Sequence, residues 1–288
     1  MSAMTAIDVT VLREMVPVPA PVPAIPPGPG PEFEWMLAAV QTNRFMPHPP
    51  PDSIFVGDGD YRAIGAEFLG HFVRIGRLQP HERVFDIGCG IGRMAVPLTQ
   101  YLDPVRGSYD GVDPVMEGIL WCAQTITPAY PRFRFQRLDI AHPLYNPRGS
   151  LPGIEVRFGF ANGSFDFITM TSVATHLPPD ELVVYLQEAS RLLAPGGRLF
   201  LTAFAIDQKT GQERLSFKRW QDGPGWYAID EAPLAAAGID STFLVEKATE
   251  AGLAVESLRP GHWRGISAAH YQDLLLAVKP GVGPGAGR

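Results

Sequence analysis

The residues with the clearest chemical potential form a glycine-rich turn between a short apolar run and an amphipathic segment. Residues 84–87 predict a buried strand, and Gly88, Gly90 and Gly92 follow it at alternate positions. Glycines in such a turn bring bare main chain against a ligand, and the free amides at the start of the next helix face it. Asp86, near the end of the strand, supplies a carboxylate that can meet a cation or a hydroxyl. This stretch therefore predicts a site for a small ligand.

The spacing of these glycines separates two kinds of nucleotide site. Dinucleotide-binding proteins carry G-x-G-x-x-G, and in this chain Arg93 stands where the third glycine of that fingerprint would be. The spacing therefore disfavours a nicotinamide cofactor. A tight strand-to-helix turn that holds no ligand is the alternative at this point.

Three more polar residues follow predicted strands. Asp113 ends the next strand about twenty residues beyond the glycines, the distance at which nucleotide-binding sheets place an acid on ribose hydroxyls. Asp139 and Thr171 follow the third and fourth strands. Because ligands of a parallel sheet bind at the carboxyl ends of its strands, these side chains and Asp86 converge on one edge. The alternatives are an aspartate that shapes the turn before Pro114 and an ordinary loop acid after the third strand.

The elements that position these residues alternate along the chain. Apolar runs predict strands at 84–87, 108–112, 133–138, 165–170, 198–205, 254–258 and 271–278. Helical spacing predicts helices at 32–45, 92–101, 115–127 and 241–251, with two more that begin at Tyr61 and Pro179. Strands that alternate with helices predict an α/β fold with a doubly wound, mostly parallel sheet.

Composition and charge argue against several classes of protein. The 288 residues carry a net charge of −6 without a lysine or arginine cluster, which argues against sequence-independent nucleic-acid binding. No apolar run reaches the ~18 residues that span a bilayer, and the N-terminus lacks a secretory signal pattern. The two cysteines, Cys89 and Cys122, provide no disulfide framework and too few ligands for a structural zinc site. We therefore expect a cytoplasmic protein with a small-molecule substrate; its oligomeric state, a dimer included, stays open.

Three motifs together resemble those of the class I S-adenosylmethionine (SAM) methyltransferases. The acid followed by G-x-G-x-G is similar to motif I, Phe165-Asp166-Phe167 begins a strand, and residues 192–198 have the sequence Leu-Leu-Ala-Pro-Gly-Gly-Arg. The resemblance covers residues 61–278 and implies a Rossmann-like, seven-stranded sheet of order 3-2-1-4-5-7-6 whose last strand is antiparallel. It also implies SAM as the cofactor, S-adenosyl-L-homocysteine as the product, and methyl transfer to a small acceptor.

Two further stretches, at 172–177 and 271–274, resemble a bacterial subgroup of small-molecule methyltransferases associated with sugar and secondary metabolism. This resemblance favours methylation of a hydroxyl oxygen and names no particular acceptor. Methylation of a small amine is the alternative within enzymes. A SAM-binding regulatory or scaffold protein without catalysis is the alternative from a different class.

The resemblance also assigns roles to the residues at the sheet edge. The three glycines would lie beneath the methionine moiety of SAM, with Asp86 facing its ammonium group. Asp113 would bind the ribose, and Asp139 would bind the adenine amino group. Arg93 or Arg62 would bind the cofactor carboxylate, and the choice between them stays open. Three neighbours at the same edge complete the predicted cofactor site. Pro114 and Ile140 would flank the adenine ring, and Thr171 is the third.

His176 is the predicted catalytic residue. It follows the fourth strand, and a histidine that titrates near neutral pH can accept the proton of a hydroxyl acceptor. The alternative is a histidine that packs against or caps the next helix. His262 and His270 are predicted to be structural. No metal is expected, because hydroxyl side chains rather than carboxylates follow the fourth strand.

The domain organisation is predicted from composition. Residues 1–31, which are rich in proline, are expected to form a disordered tail, with a partner-binding tail as the alternative. Residues 32–280 are expected to form the methyltransferase domain, and residues 281–288 a flexible tail rich in glycine and proline.

Residues 206–239 form an insertion within this domain, long enough to act as a lid. Its aromatic residues Trp220, Trp226 and Tyr227 are predicted to line the acceptor pocket, because aromatic faces suit rings and sugars alike. The alternative is a surface excursion with a small core of its own.

Overall fold

The computed structural model describes residues 30–57, 59–207, 215–221 and 223–281. The predictions of a disordered first tail and a flexible last tail fall outside these ranges, apart from two residues of the first and one of the second. Within the same ranges, no helix is long and apolar enough to cross a membrane.

A sheet of ten strands forms the centre of the described chain. The strands are β1 Arg83–Ile87, β2 Ser108–Asp113, β3 Phe133–Arg137, β4 Phe165–Met170, β5 Leu193–Ile206, β6 Lys218–Arg219, β7 Gly225–Tyr227, β8 Ala237–Asp240, β9 Ala254–Arg259 and β10 Asp273–Val278. The first five pair in parallel in the order β3-β2-β1-β4-β5. β10 pairs antiparallel with β5, and β9 pairs antiparallel with β10, so these seven strands follow the predicted order 3-2-1-4-5-7-6.

The prediction of seven strands misses three short ones. β6, β7 and β8 lie within the predicted insertion, where β8 pairs in parallel with the end of β5 and β7 pairs antiparallel with β8 and β6. These strands have two, three and four residues, too few to show a repeating apolar pattern in the sequence. The described part of the insertion is therefore a small sheet attached to the end of β5.

Six α-helices flank the sheet within the described residues. They are α1 Pro31–Thr42, α2 Tyr61–Arg74, α3 Ala95–Tyr101, α4 Met116–Thr125, α5 Pro179–Leu192 and α6 Ser241–Glu250. The helix predicted at 92–101 begins only at Ala95, because Gly92 has a φ of 75°, outside the helical region. The helix predicted at 32–45 ends at Thr42, where Asn43 is extended and its side chain accepts a hydrogen bond from the Phe45 N–H.

Neighbouring residues of the central strands pack on opposite faces of the sheet. Phe167 contacts Phe72 of α2, with 5.5 Å between the ring centroids, whereas Ile168 belongs to the apolar cluster of Leu186 in α5. Helices therefore cover both faces, which explains why β4 is apolar at most of its positions.

The chain order reverses between β1 and β4, which pair side by side near the centre of the sheet. In open α/β sheets, ligands bind outside the carboxyl ends of the strands at such a point. The end of β1 leads into the glycine turn, and the end of β4 leads into the segment that holds Thr171 and His176. The fold thus brings the predicted cofactor residues and the predicted catalytic residue to one edge.

Candidate cofactor and acceptor site

The glycine turn has a backbone that side chains would disrupt. Gly88, Gly90 and Gly92 have φ angles of 79°, 55° and 75°, in the left-handed region that favours glycine. A Cβ atom on Gly88 would lie 2.3 Å from Val173 Cγ2, and one on Gly90 would lie 2.4 Å from Val56 Cγ1. Both the backbone conformation and the close approach of two neighbouring segments therefore require glycine here.

Asp113, at the end of β2, holds the glycine turn through its carboxylate. Its Oδ2 accepts a hydrogen bond from the Gly90 N–H and its Oδ1 accepts one from the Val115 N–H, both at 2.8 Å. Burial raises the pKa of Asp113 to about 6, although these two hydrogen bonds favour the charged form. Each carboxylate oxygen keeps a further lone pair, so this residue can still accept the hydroxyls of a ribose.

Asp86 is buried with one oxygen unpaired. The Tyr109 hydroxyl donates to Asp86 Oδ2 at 2.5 Å, whereas Asp86 Oδ1 has no hydrogen-bond partner among the described residues. Burial raises the pKa of Asp86 to about 7, the Tyr109 hydrogen bond opposes this rise, and the charge of Asp113 adds to it. A buried carboxylate oxygen without a partner is costly, and a ligand ammonium group would satisfy it. The unpaired acceptor at this position therefore fits the ammonium group of the amino acid part of SAM.

The two arginines predicted for the cofactor carboxylate differ in their contacts. Arg93 donates hydrogen bonds from Nη2 to the carbonyl oxygens of Val56 and Gly57, the second at 2.8 Å, and so ties the segment before α2 to the glycine turn. Arg62 donates from Nη2 to the Met46 carbonyl at 3.4 Å, and its buried Nε has no hydrogen-bond partner among the described residues. These contacts leave the choice between Arg62 and Arg93 open.

Asp139 organises the loop that follows β3. Its carboxylate accepts hydrogen bonds from Arg137 Nη2 at 2.8 Å, Asn146 Nδ2 at 3.1 Å and Ser150 Oγ at 2.7 Å. The hydrogen bonds from Ser150 and Asn146 lower the pKa of Asp139 to about 2. Its contact with the adenine amino group stays a prediction, because the described contacts of the carboxylate lie within its own loop.

The residues predicted to flank the adenine ring lie at the ends of neighbouring strands. Ile140 is buried beside Val112 of β2, and Pro114 is half-buried. The Pro114 carbonyl accepts a hydrogen bond from Arg137 Nε at 3.1 Å, which joins the ends of β2 and β3. Their role in binding the adenine ring stays a prediction.

His176 lies in a short 3₁₀ turn, Ala174–His176, directly after β4. Its Nδ1 lies 2.8 Å from the Leu234 carbonyl oxygen, which can only accept, so Nδ1 carries the proton of the neutral ring. Its Nε2 is left as the acceptor and faces the Tyr145 hydroxyl at 3.1 Å. Burial lowers the pKa of His176 to about 4, so the expected titration near neutral pH is wrong. The ring is neutral at physiological pH, the form that a general base requires.

Tyr145 and His142 complete this arrangement and were missed by the sequence prediction. His142 Nε2 donates to the His176 carbonyl oxygen at 2.9 Å, and its Nδ1 accepts hydrogen bonds from the N–H groups of Leu144 and Tyr145 at 3.2 and 3.3 Å. His142 therefore holds the turn that brings Tyr145 to His176. Burial raises the pKa of Tyr145 to about 12, so its hydroxyl keeps its proton. The only sequence signal is a pair of polar rings in a loop, which is too common to be specific.

The segment after β4 is strained next to Thr171. The Thr171 hydroxyl lies 2.9 Å from that of Thr169, and Ser172 has a φ of 59°, a conformation uncommon for serine. The Ser172 N–H donates to Thr202 Oγ1 and its Oγ accepts from Gln272 Nε2, both at 2.8 Å. Strain held by neighbouring strands is typical of functional loops.

The aromatic residues of the insertion fall into two groups. Trp226 Nε1 donates to Asp240 Oδ1 at 2.7 Å, and the Arg219 guanidinium lies 4.5 Å from the centre of the Trp226 ring. Trp226 also packs against a separate apolar cluster: Phe204, Ile206, Leu215, Ala236 and Trp263. The rings of Trp220 and Tyr227 lie edge to face at 6.3 Å. Trp226 therefore packs in a small core that the described insertion shares with Phe204 and Trp263, and a pocket-lining role for these three residues stays a prediction.

Comparison with known families identifies the fold. A family model described as a methyltransferase domain matches residues 61–258, from α2 into β9, a stretch that contains the glycine turn, Asp113 and His176. The chain belongs to the methyltransferase-domain family. The prediction of a class I SAM-dependent methyltransferase is thereby confirmed, with SAM as the cofactor of the domain.

Two of the similar proteins match this chain over only part of their own length. The chain is 33% identical over 131 residues to an arsenite methyltransferase of Aquipseudomonas alcaligenes, an alignment that covers 46% of this chain and 35% of that protein. It is 28% identical over 180 residues to a highly reducing polyketide synthase of Purpureocillium lilacinum, covering 61% of this chain and 6% of that protein. The chain therefore matches about a third or less of the length of these curated relatives.

A solved structure of a protein from Pyrococcus horikoshii OT3 has the same fold. Its TM-score with this methyltransferase domain is 0.54 at 14% sequence identity, and the superposition covers 80% of this chain and 96% of that one. At this identity the similarity shows the fold alone. The acceptor must be inferred from the site itself.

Proposed function

We propose that this methyltransferase domain transfers the methyl group of SAM to a hydroxyl oxygen of a small molecule. The observation that carries the proposal is the neutral imidazole of His176. The Leu234 carbonyl fixes its Nδ1 proton, which leaves Nε2 as a proton acceptor directly after β4. A hydroxyl is the acceptor class that gains most from such a base, because it is a poor nucleophile until its proton leaves.

In this proposal, buried carboxylates and a cation hold the amino acid and ribose parts of the cofactor. The unpaired oxygen of Asp86 accepts from the ammonium group, and Asp113 accepts from the ribose hydroxyls while it holds the Gly90 N–H. Arg62 or Arg93 supplies the donor for the carboxylate. Asp139, Pro114, Ile140 and Thr171 keep the adenine-side and edge positions given by the family resemblance.

The chemical step needs proximity and one proton acceptor. SAM, when bound, supplies an electrophilic methyl group attached to a positively charged sulfur. With SAM held there, the acceptor oxygen would take the methyl group, and its hydroxyl proton would pass to His176 Nε2 once the Tyr145 hydroxyl, 3.1 Å away, released that nitrogen. The Leu234 carbonyl keeps the ring oriented for that transfer.

The test of this function is a panel of acceptors incubated with SAM and the full chain. Sugars and phenols represent hydroxyl acceptors, small amines represent the nitrogen alternative, and arsenite represents the curated relative. Mass spectrometry should detect a methyl ether on a hydroxyl compound together with S-adenosyl-L-homocysteine. Transfer to amines alone would replace the proposed acceptor class. Binding of SAM without transfer to any member would favour a regulatory or scaffold protein.

Arsenite is the second acceptor class that a specific observation suggests, through the curated relative. A soft acceptor of this kind is bound by thiolates. Cys89 and Cys122 are both buried, burial raises the pKa of both thiols, and Cys122 Sγ packs beneath Gly92. These protonated, enclosed thiols support an oxygen acceptor over arsenic.

A further inference from the structure

A cluster of two histidines and one carboxylate lies outside the site described above. Glu67 and His71 stand one turn apart on α2, and His270 belongs to the segment before β10. Glu67 Oε1 lies 3.3 Å from His71 Nε2 and 2.9 Å from His270 Nδ1. One ligand atom from each of the three side chains lies within 4.8 Å of the others. We call this group the Glu67 cluster.

We propose that the Glu67 cluster binds one divalent transition-metal ion of the zinc class. Its ligands are Glu67 Oε1, His71 Nε2 and His270 Nδ1. Imidazole nitrogens suit zinc, nickel and cobalt, whereas calcium and magnesium prefer oxygen ligands, and this set supplies two nitrogens and one oxygen. Three protein ligands leave a fourth position for water, as in open zinc sites.

Two of the three separations between ligand atoms are close to those of tetrahedral coordination. Metal–ligand bonds of about 2.0–2.1 Å place two ligand atoms of a tetrahedron about 3.3 Å apart. The Glu67–His71 pair already has this separation, at 3.3 Å. The Glu67–His270 pair, at 2.9 Å, has to open by a few tenths of an ångström, which a rotation of the carboxylate provides.

The surroundings of the Glu67 cluster hold both rings and admit an ion. Phe68 packs edge to face on both histidines, at 5.8 Å from the His71 ring and 4.6 Å from the His270 ring. His71 is fully buried, and its Nδ1 has no hydrogen-bond partner among the described residues, so its polar contact is made through Nε2. The Glu67 side chain is 39% exposed and provides the entry from solvent.

Such an ion would join α2 to the segment that leads into β10. Gln272, two residues after His270, donates to the hydroxyl of the strained Ser172 and so reaches the loop after β4. The Glu67 cluster nevertheless shares no residue with the proposed cofactor and acceptor sites, and it is a different position from the one after β4, where hydroxyl side chains stand. Its occupancy can therefore be measured without any methyl acceptor.

The test uses the full, untagged chain treated with a chelator and then titrated with Zn²⁺ or Co²⁺. We expect one equivalent of Zn²⁺ by calorimetry, and visible absorption bands of tetrahedral Co²⁺. Both signals should be lost in Glu67→Gln and His270→Gln. The matched control His262→Gln, from the same segment, should bind as the wild type does. Equal binding by all four proteins, or none by the wild type, would overturn the proposal.

Thermal unfolding of the wild type provides a measurement that needs no variant. An ion that binds only the folded chain raises the midpoint of unfolding as its concentration exceeds the dissociation constant. We expect a rise with Zn²⁺ that reverses with chelator and that Mg²⁺ does not produce. An unchanged midpoint at saturating Zn²⁺ would mean that Glu67, His71 and His270 form a hydrogen-bonded structural group only.

Discussion

The two sides of the candidate site are built by different means. The cofactor side is built mainly from the main chain. Glycines with positive φ approach their neighbours closely, and Asp113 holds the turn through backbone N–H groups. On the acceptor side, the key groups are side-chain rings, and a carbonyl of the insertion orients His176. Backbone geometry on the cofactor side is set by the sheet, whereas the ring of His176 is oriented by a segment outside the parallel strands. The cofactor is therefore the part of the function that the family fixes, and the acceptor is the part that local structure decides.

His176→Gln should give the largest difference between an effect on turnover and an effect on SAM binding. We expect turnover to fall about 10²–10⁴-fold while the SAM dissociation constant stays near the wild-type value, because the residue acts on the acceptor proton. The exposed His81→Gln is the matched control and should have wild-type turnover. Near-normal turnover of folded His176→Gln would make it a packing residue and leave proximity as the source of catalysis.

The converse change on the cofactor side is Asp113→Ala. Loss of hydrogen bonds to a charged group should weaken SAM binding by about 1.5–3 kcal/mol, or roughly 10–150-fold in the dissociation constant. Calorimetry with SAM measures the effect. The control is Asp110→Asn on the same strand, whose carboxylate pairs with Arg134 instead and should leave SAM affinity unchanged. If the two variants bind SAM equally well, Asp113 is not a cofactor ligand.

Gly90→Ala tests whether close backbone approach is essential on the cofactor side. An alanine in a left-handed conformation costs about 1–2 kcal/mol, and its Cβ would also collide with Val56. Gly196→Ala is the matched control, because Gly196 has a φ of 82° and no atom within 4 Å of the added Cβ. We expect denaturant unfolding to show a larger loss for Gly90→Ala, together with weaker SAM binding. Equal losses would remove the steric argument.

Asp86→Asn should separate stability from binding. The folded-state pKa of Asp86 is raised from 3.8 to about 7. Between pH 3.8 and about 7 the folded protein keeps a proton that the unfolded chain has already lost. The free energy of unfolding therefore falls as pH rises through this range. Asparagine removes this dependence. We expect the variant to be more stable than the wild type at pH 8, yet to bind SAM more weakly. A variant that is less stable at pH 8 would contradict this account.

The smallest effect concerns pH on the acceptor side. Because the pKa of His176 is lowered to about 4, its ring is neutral above that value, and turnover should be nearly flat between pH 6 and 8 as far as this residue is concerned. Activity due to His176 should be lost as pH falls through about 4. A sigmoidal rise centred near pH 6.5 that disappears in His176→Gln would show instead that the ring is exposed to water when SAM is bound.

The sequence predicted the elements with strong local patterns. β4 has the predicted bounds 165–170, because a buried strand of a parallel sheet leaves an apolar run between polar flanks. It did not predict the environment of His176, because the carbonyl that contacts its Nδ1 belongs to Leu234, which is distant in the sequence. Such a contact leaves no local sequence pattern. Tyr145 and His142 were missed for the same reason, since their contacts depend on how a loop of 139–151 folds back.

Motif residues that marked the family are partly structural in this chain. Asp166, from the Phe-Asp-Phe motif, accepts hydrogen bonds from Arg83 Nε and Nη2 at 2.9 and 2.8 Å and joins β4 to β1. Arg198, from the Pro-Gly-Gly-Arg motif, is buried and paired with Glu82. A motif can therefore identify a fold through residues that hold its elements together.

Because Leu234 lies in the insertion, its hydrogen bond with His176 couples the insertion to the reactivity proposed for that histidine. A chimaera that received the insertion of another methyltransferase would change the proposed acceptor pocket and the tautomer of the proposed base at once, while β1 to β4 and the cofactor turn stayed intact. A substitute that lacked the carbonyl would leave the imidazole free to rotate and to exchange its proton between nitrogens. An exchange of this segment that aims to alter the substrate range would thus also alter the proposed proton acceptor.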